Sequence, residues 1–168
     1  LRGLAFDLRG DGPDRDQFDA HGRPFRRVGH KHLDVTDSPP ELATVLEGFD
    51  RVVEVGIGHR TDVAATLCDR GVQVTATDVT ECAVPPGVEF VQDDVTQPSR
   101  AVYAAAEAIY ALRLPPELQR PAAELAATVD VPLFFTTLGG DPTVIEATRR
   151  TVQSGTLFVR RPGNGPLR

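Results

Sequence analysis

The chain has no methionine, no tryptophan and a single lysine, Lys31, beside seventeen arginines. A skew of that kind follows codon composition and says nothing of mechanism; without methionine, Leu1 reads as an unconventional start or the edge of a fragment. Cysteine is scarce too. Cys68 and Cys82 have neither CxxC spacing nor a neighbouring histidine cluster, which excludes a disulfide framework and a zinc knuckle and fits free thiols in a reducing, cytoplasmic compartment. No run approaches the ~20 apolar residues that a membrane span needs, and no charged-then-apolar leader opens the chain. A basic excess is also missing: 18 basic against 24 acidic residues give a net charge of −6, so nucleic acid is not indicated as a partner. No Ser-His-Asp or Cys-His arrangement suggests a nucleophilic enzyme.

What is present suits one globular domain. The 168 residues are 40% hydrophobic and 25% charged, enough to bury a core and too apolar for wholesale disorder. Residues 1–37 stand apart: Gly, Pro, Arg and Asp dominate, and no apolar period persists. They read as a disordered arm, or as a spurious extension from a start assigned too early, the physiological start then lying near residue 36. His21, His30, His32 and Asp34 offer metal-ligand types in that arm, but without a standard spacing; no metal site is assigned. Residues 38–160 read as the folded domain and residues 161–168 as a loose tail.

Within the domain, Ser38-Pro39-Pro40-Glu41 has the form of a helix-capping box and predicts a first helix to about Gly48. Strands are predicted at 51–55, 72–77, 88–91, 108–112 and 131–137, with a sixth at 156–159. Helices are predicted over 61–70, 99–107 and 115–129. Strands that alternate with helices and are continuously apolar specify a doubly wound, mostly parallel, Rossmann-like α/β sheet of five to six strands. Such sheets bind ligands at the carboxyl ends of their strands, beside the switch point.

The informative segment is VVEVGIGHRTDVAATLCDRGVQVTATD, residues 52–78. Gly56 and Gly58 let the chain turn and let a ligand approach the backbone, and the following helix aims free N–H groups at the same place. Asp78 stands twenty residues after Gly58 at the end of the next strand, where a carboxylate accepts ribose hydroxyls. Glu54, two residues before Gly56, suits an ammonium group better than a pyrophosphate. Together these residues point to a nucleoside bearing a cationic amino acid, S-adenosylmethionine, with NAD or an adenine nucleotide on a non-catalytic regulatory module as the alternative. A bland reading is also available, in which the glycines only make a tight turn and Asp78 caps a loop.

The stretch Glu54, Gly56, Gly58 resembles motif I of the class I methyltransferases, acid-x-Gly-x-Gly, although the usual third glycine falls on Arg60. On that resemblance Asp78 would hold the ribose, and Asp93 or Asp94 the adenine. The runs VEVGIG, TATDV, LPPEL and FTTLGGDP, between residues 53 and 142, are also similar to those of a compact, uncharacterised archaeal family with this core. That likeness implies the fold and no established activity.

Amino-group methyltransferases carry an Asn or Asp, two prolines and an aromatic after the fourth strand. Here the run is Arg113-Leu114-Pro115-Pro116-Glu117; the prolines match, and the acceptor and the aromatic are absent, which argues against that chemistry. Tyr110, Arg113, Pro115 and Pro116, with Gly139, Gly140 and Asp141 after the fifth strand, are the possible substrate edge. Pro115-Pro116 also fits an ordinary helix start, and Asp141-Pro142 an ordinary turn. The resemblance further implies a sixth helix and a closing pair of strands, for which the stretch after Thr137 looks too short. The expectation is therefore a truncated methyltransferase-like fold that binds a small nucleoside-type ligand and, if catalytic, leans on a partner protein to complete its site.

Overall fold

The computed structural model describes residues 41–163. The arm, the Ser38 cap and residues 164–168 lie outside them. The described residues belong to one compact unit, 38–168. The elements in chain order are α1 (Glu41–Leu46), β1 (Arg51–Val55), α2 (Asp62–Asp69), β2 (Gln73–Asp78), β3 (Glu89–Gln92), α3 (Arg100–Tyr103), β4 (Ala108–Ala111), α4 (Pro116–Thr128), β5 (Leu133–Phe135), β6 (Thr148–Val152) and β7 (Gly155–Arg160).

The seven described strands form one sheet in the order β3-β2-β1-β4-β5-β7-β6. β1 pairs in parallel with β2 on one side and β4 on the other, so the switch point lies where the chain leaves β1. Alternate residues of β1 feed two cores. Val52 packs with Leu42, Leu46, Val63, Ala64 and Leu67 of α1 and α2. Val53 and Val55 pack with Ala122, Ala123, Leu125 and Ala126 of α4. The central strands bury both faces, and for that reason they read as largely apolar runs, interrupted in β1 by the buried Glu54.

The expected strand count of five to six is corrected to seven. The missed strand is β6, whose sequence TRRTV contains one apolar residue and is exposed along most of its length. An edge strand with a polar outer surface carries no hydrophobic signal and needs none, because β7 supplies its hydrogen bonds. The hairpin β6–β7 is antiparallel and caps the β5 edge. It is the closing strand pair that the stretch after Thr137 looked too short to hold; no helix separates β5 from β6 among the described residues. The alanine-rich stretch predicted as helix to residue 107 is helical only over Arg100–Tyr103. The Glu107 N–H must donate to the Arg51 carbonyl at 2.9 Å to start β4 beside β1, and sheet pairing overrides alanine's helix propensity. No helix among the described residues is long and apolar enough to cross a membrane.

Candidate functional site

The turn after β1 is built from two glycines with positive φ, Gly56 at 71° and Gly58 at 52°. Side chains rarely adopt that backbone, which explains the residue type at both positions. Between them Ile57 plants its side chain in the core at 1% exposure. The turn is sewn to β2. The N–H groups of Gly56 and Ile57 donate to the Thr77 carbonyl at 2.8 and 3.1 Å, and the Thr77 hydroxyl donates to the Glu54 carbonyl at 3.1 Å.

Asp78 closes β2 and faces this turn. Its Oδ2 accepts the Gly58 N–H at 3.0 Å and its Oδ1 the Thr80 N–H at 3.1 Å. Each oxygen has a second lone pair, so both can still accept from a ligand hydroxyl. Asp93 adjoins it, its N–H donating to the Asp78 carbonyl at 3.0 Å. The Asp93 carboxylate accepts from the Ser99 N–H at 3.0 Å and the Tyr103 hydroxyl at 2.7 Å, which fixes the entry to α3. Asp94 is exposed and turns inward on Thr96, accepting from its N–H and hydroxyl at 2.8 and 2.7 Å; those bonds hold its carboxyl below the ordinary value. Glu54, Gly56, Gly58, Asp78 and Asp93 thus stand together at the adjacent ends of β1, β2 and β3, with Asp94 at their outer margin.

Glu54 is the unusual member. It is 0% exposed, its Oε2 accepts the Tyr110 hydroxyl at 2.7 Å, and its Oε1 is buried with no partner. Burial pushes its carboxyl up to about 8; the Tyr110 hydrogen bond pulls the other way, Asp62 adds to the rise and Arg60 opposes it. The side chain is therefore neutral at pH 7 in the free protein. Glu54 meets a cation as a carboxylate only by releasing its proton. Tyr110, placed by sequence on the substrate edge, instead lies fully buried in the first core. Its hydroxyl is pushed well up, by burial first and by Glu54 second.

Beyond β4 and β5 a cleft of about 870 Å³ opens, lined by Arg60 and Asp62 after the glycine turn, Arg113, the segment 136–141, and residues of the β6–β7 hairpin including Arg149. It takes in Arg113, Gly139, Gly140 and Asp141 from the expected substrate edge. Pro115 and Pro116 do not line it and start α4. None of the six expected cofactor residues lines it either; the cleft adjoins them through Arg60 and Asp62.

One organising residue escaped the sequence reading. Gln119 is fully buried on α4. Its amide nitrogen donates to the Pro142 carbonyl at 3.0 Å, and its Oε1 accepts the Val144 N–H at 2.7 Å. It therefore ties the loop that carries Gly139, Gly140 and Asp141 to the helix. The signal was present: Gln119 falls in register with Ala122, Ala123 and Ala126, the i, i+3, i+4, i+7 pattern of a buried face, and a polar residue on such a face needs partners.

Among solved structures, the fold is similar to an RNA methyltransferase from Salinibacter ruber in complex with S-adenosyl-L-homocysteine. The TM-score is 0.51 at 18% identity, covering 75% of this chain and 89% of that one. It is also similar to the fibrillarin pre-rRNA processing protein of Methanococcus jannaschii, with a TM-score of 0.50 at 11% identity over 72% and 74% of the two chains. At these identities the likeness establishes a Rossmann-like α/β fold and nothing further. In sequence, the chain is 59% identical over 124 residues to a UPF0146 protein of Halobacterium salinarum, covering 73% of this chain and 96% of the relative. It is 46% identical over 91 residues to one from Archaeoglobus fulgidus, covering 54% and 70%. The model of the uncharacterised protein family UPF0146 matches residues 36–162, and the chain belongs to that archaeal family.

Proposed function

We propose that this domain binds S-adenosylmethionine across the carboxyl ends of β1, β2 and β3. The observation that carries the reading is Glu54, a buried acid with one oxygen lacking any partner, directly before the glycine turn. Such an atom costs free energy unless something donates to it, and an ammonium group is a suitable donor. The residues present fit the ligand. Glu54 would receive its ammonium group, the Gly56–Gly58 turn would let it approach the backbone, Asp78 would accept its ribose hydroxyls, and Asp93 or Asp94 would contact its adenine. When bound, S-adenosylmethionine supplies an electrophilic methyl group. The chain's part is to hold the ligand with the adjoining cleft as the place for an acceptor. No general base is required of the residues found there, and a partner protein completing that side fits the same reading. NAD has no observation in its favour.

The test is calorimetric titration of the full chain with S-adenosylhomocysteine and, separately, NAD. S-adenosylhomocysteine is expected to bind in the micromolar range. Asp78→Ala is expected to weaken it by at least about tenfold, near 1.4 kcal/mol. Because Glu54 is neutral below about pH 8, binding of the ammonium group should release a proton, seen as an enthalpy that changes with the buffer's ionisation heat. No binding, or binding untouched by Asp78→Ala, rejects the proposal, and binding of NAD alone replaces it with the regulatory module.

A further inference from the structure

We propose that the cleft beyond β4 and β5 binds a small phosphomonoester, held by Arg60, Arg113 and Arg149. The proposal goes beyond the preceding reading and does not rest on it: binding of this ligand does not require S-adenosylmethionine.

The three arginines reach one cleft from three separate segments: the turn after β1, the turn after β4, and the edge strand β6. All three are exposed. Among the described residues none is in an ion pair; the pair found is Arg70 with Glu47, elsewhere. Arg149 makes one long contact, 3.4 Å to the Thr156 hydroxyl. Three carboxylates, Glu41, Asp62 and Asp141, share the lining, and among the described residues none is ion-paired with the arginines. Glu41 accepts the backbone N–H of Gln153. Asp62 stands in the first turn of α2, where the helix N–H groups favour a negative charge. Asp141 sits in the turn closed by its own N–H on the Leu138 carbonyl at 3.0 Å.

Arg113 supplies an independent observation. Its φ is 53°, a backbone region that a side chain of this size rarely occupies. The Thr136 hydroxyl accepts its N–H at 2.9 Å and the Thr136 carbonyl accepts the next N–H, of Leu114, at 2.7 Å. Strain of this sort persists where the surroundings enforce it, and it gathers at ligand sites. Here it sets a guanidinium at the rim of the cleft.

Guanidinium forks supplied to one cleft by three segments of the chain suit a tetrahedral phosphate. A carboxylate offers two oxygens in one plane, whereas a phosphomonoester offers three around a centre. The cleft's volume of about 870 Å³ fits a small molecule. The chain's net charge of −6 disfavours a long polyanion such as RNA.

The test uses the full chain without S-adenosylhomocysteine, so that its result is independent of the cofactor reading. Glycerol 3-phosphate, acetate and a short single-stranded RNA are titrated separately, by calorimetry and by thermal midpoint. Glycerol 3-phosphate is expected to bind and to raise the midpoint; acetate and RNA are not. Arg60→Gln, Arg113→Gln and Arg149→Gln should each weaken it about tenfold, while Arg150→Gln, one residue along β6 and outside the cleft, leaves it unchanged. Arg113→Gly removes the side chain and relieves the backbone, so it should fold at least as well and still lose affinity. Absence of binding, equal binding of acetate, binding of RNA alone, three variants with unaltered affinity, or an Arg150→Gln effect as large as theirs would each overturn the proposal.

Discussion

Glu54 shows how one side chain couples burial, protonation and ligand choice. In the unfolded chain its carboxyl titrates near 4.5, and in the fold burial holds it up to about 8. Between those values the folded chain carries a proton that the unfolded chain has lost, so the contribution of Glu54 to stability falls as pH rises through that window. The fall is on the order of a few kcal/mol. Glu54→Gln should remove this slope and make the protein more stable than the parent at pH 8, as urea midpoints measured from pH 5 to 9 would show; an unchanged slope would mean the proton is held elsewhere. Tyr110→Phe deletes the hydrogen bond that favours the charged form, and should move the upper end of the window to higher pH. The place of Glu54 before the glycines led to the expectation of a ligand-facing acid. It could not show the neutral state, which comes from burial by elements distant in the chain and persists although the Tyr110 hydroxyl, from a residue 56 positions away, donates to the carboxyl and opposes it.

The turn after β1 and the loop after β5 test elements rather than atoms. A Cβ added at Gly56 would meet no atom within 4 Å, so packing would tolerate alanine there. The backbone would not: with φ at 71°, Gly56→Ala should cost about 1–2 kcal/mol from strain alone, read as a lower urea midpoint with an unchanged slope. Gln119→Leu strands the Val144 N–H and the Pro142 carbonyl. Two unsatisfied backbone groups predict a loss of about 2–4 kcal/mol, with hydrogen exchange at the Val144 amide accelerating more than in α4. If that amide exchanges no faster, the loop is held by something other than Gln119. The glycine turn was legible in sequence because φ demands the residue type. The Gln119 tie was harder to see, since its two partners are backbone groups and carry no side-chain signature.

At the scale of the whole molecule, legibility divides the sheet at β5. Strands β1 to β5 were readable because most of their length is apolar or β-branched and packs into one of the two cores. The antiparallel hairpin was half readable: β7 carries Leu157 and Val159 into the first core at 1% and 2% exposure, while β6 touches that core only through the partly buried Val152. That asymmetry makes β7 the strand on which the sheet's edge depends. It shields the β5 edge along Leu133–Phe135, and its Phe158 stacks on Phe135 with ring centroids 5.2 Å apart. Leu157→Ala keeps the backbone pairing and loses only packing, so the chain should fold with a penalty of about 2–5 kcal/mol. A chain ending at residue 147 loses packing and pairing together, and leaves Leu133-Phe134-Phe135 as a bare apolar edge. Such edges pair with other chains, so the shortened protein should elute as aggregate in size-exclusion chromatography while Leu157→Ala elutes as the parent does. If the shortened chain instead stays folded and elutes as a single small species, the five parallel strands are self-sufficient, and the hairpin serves the cleft rather than the core.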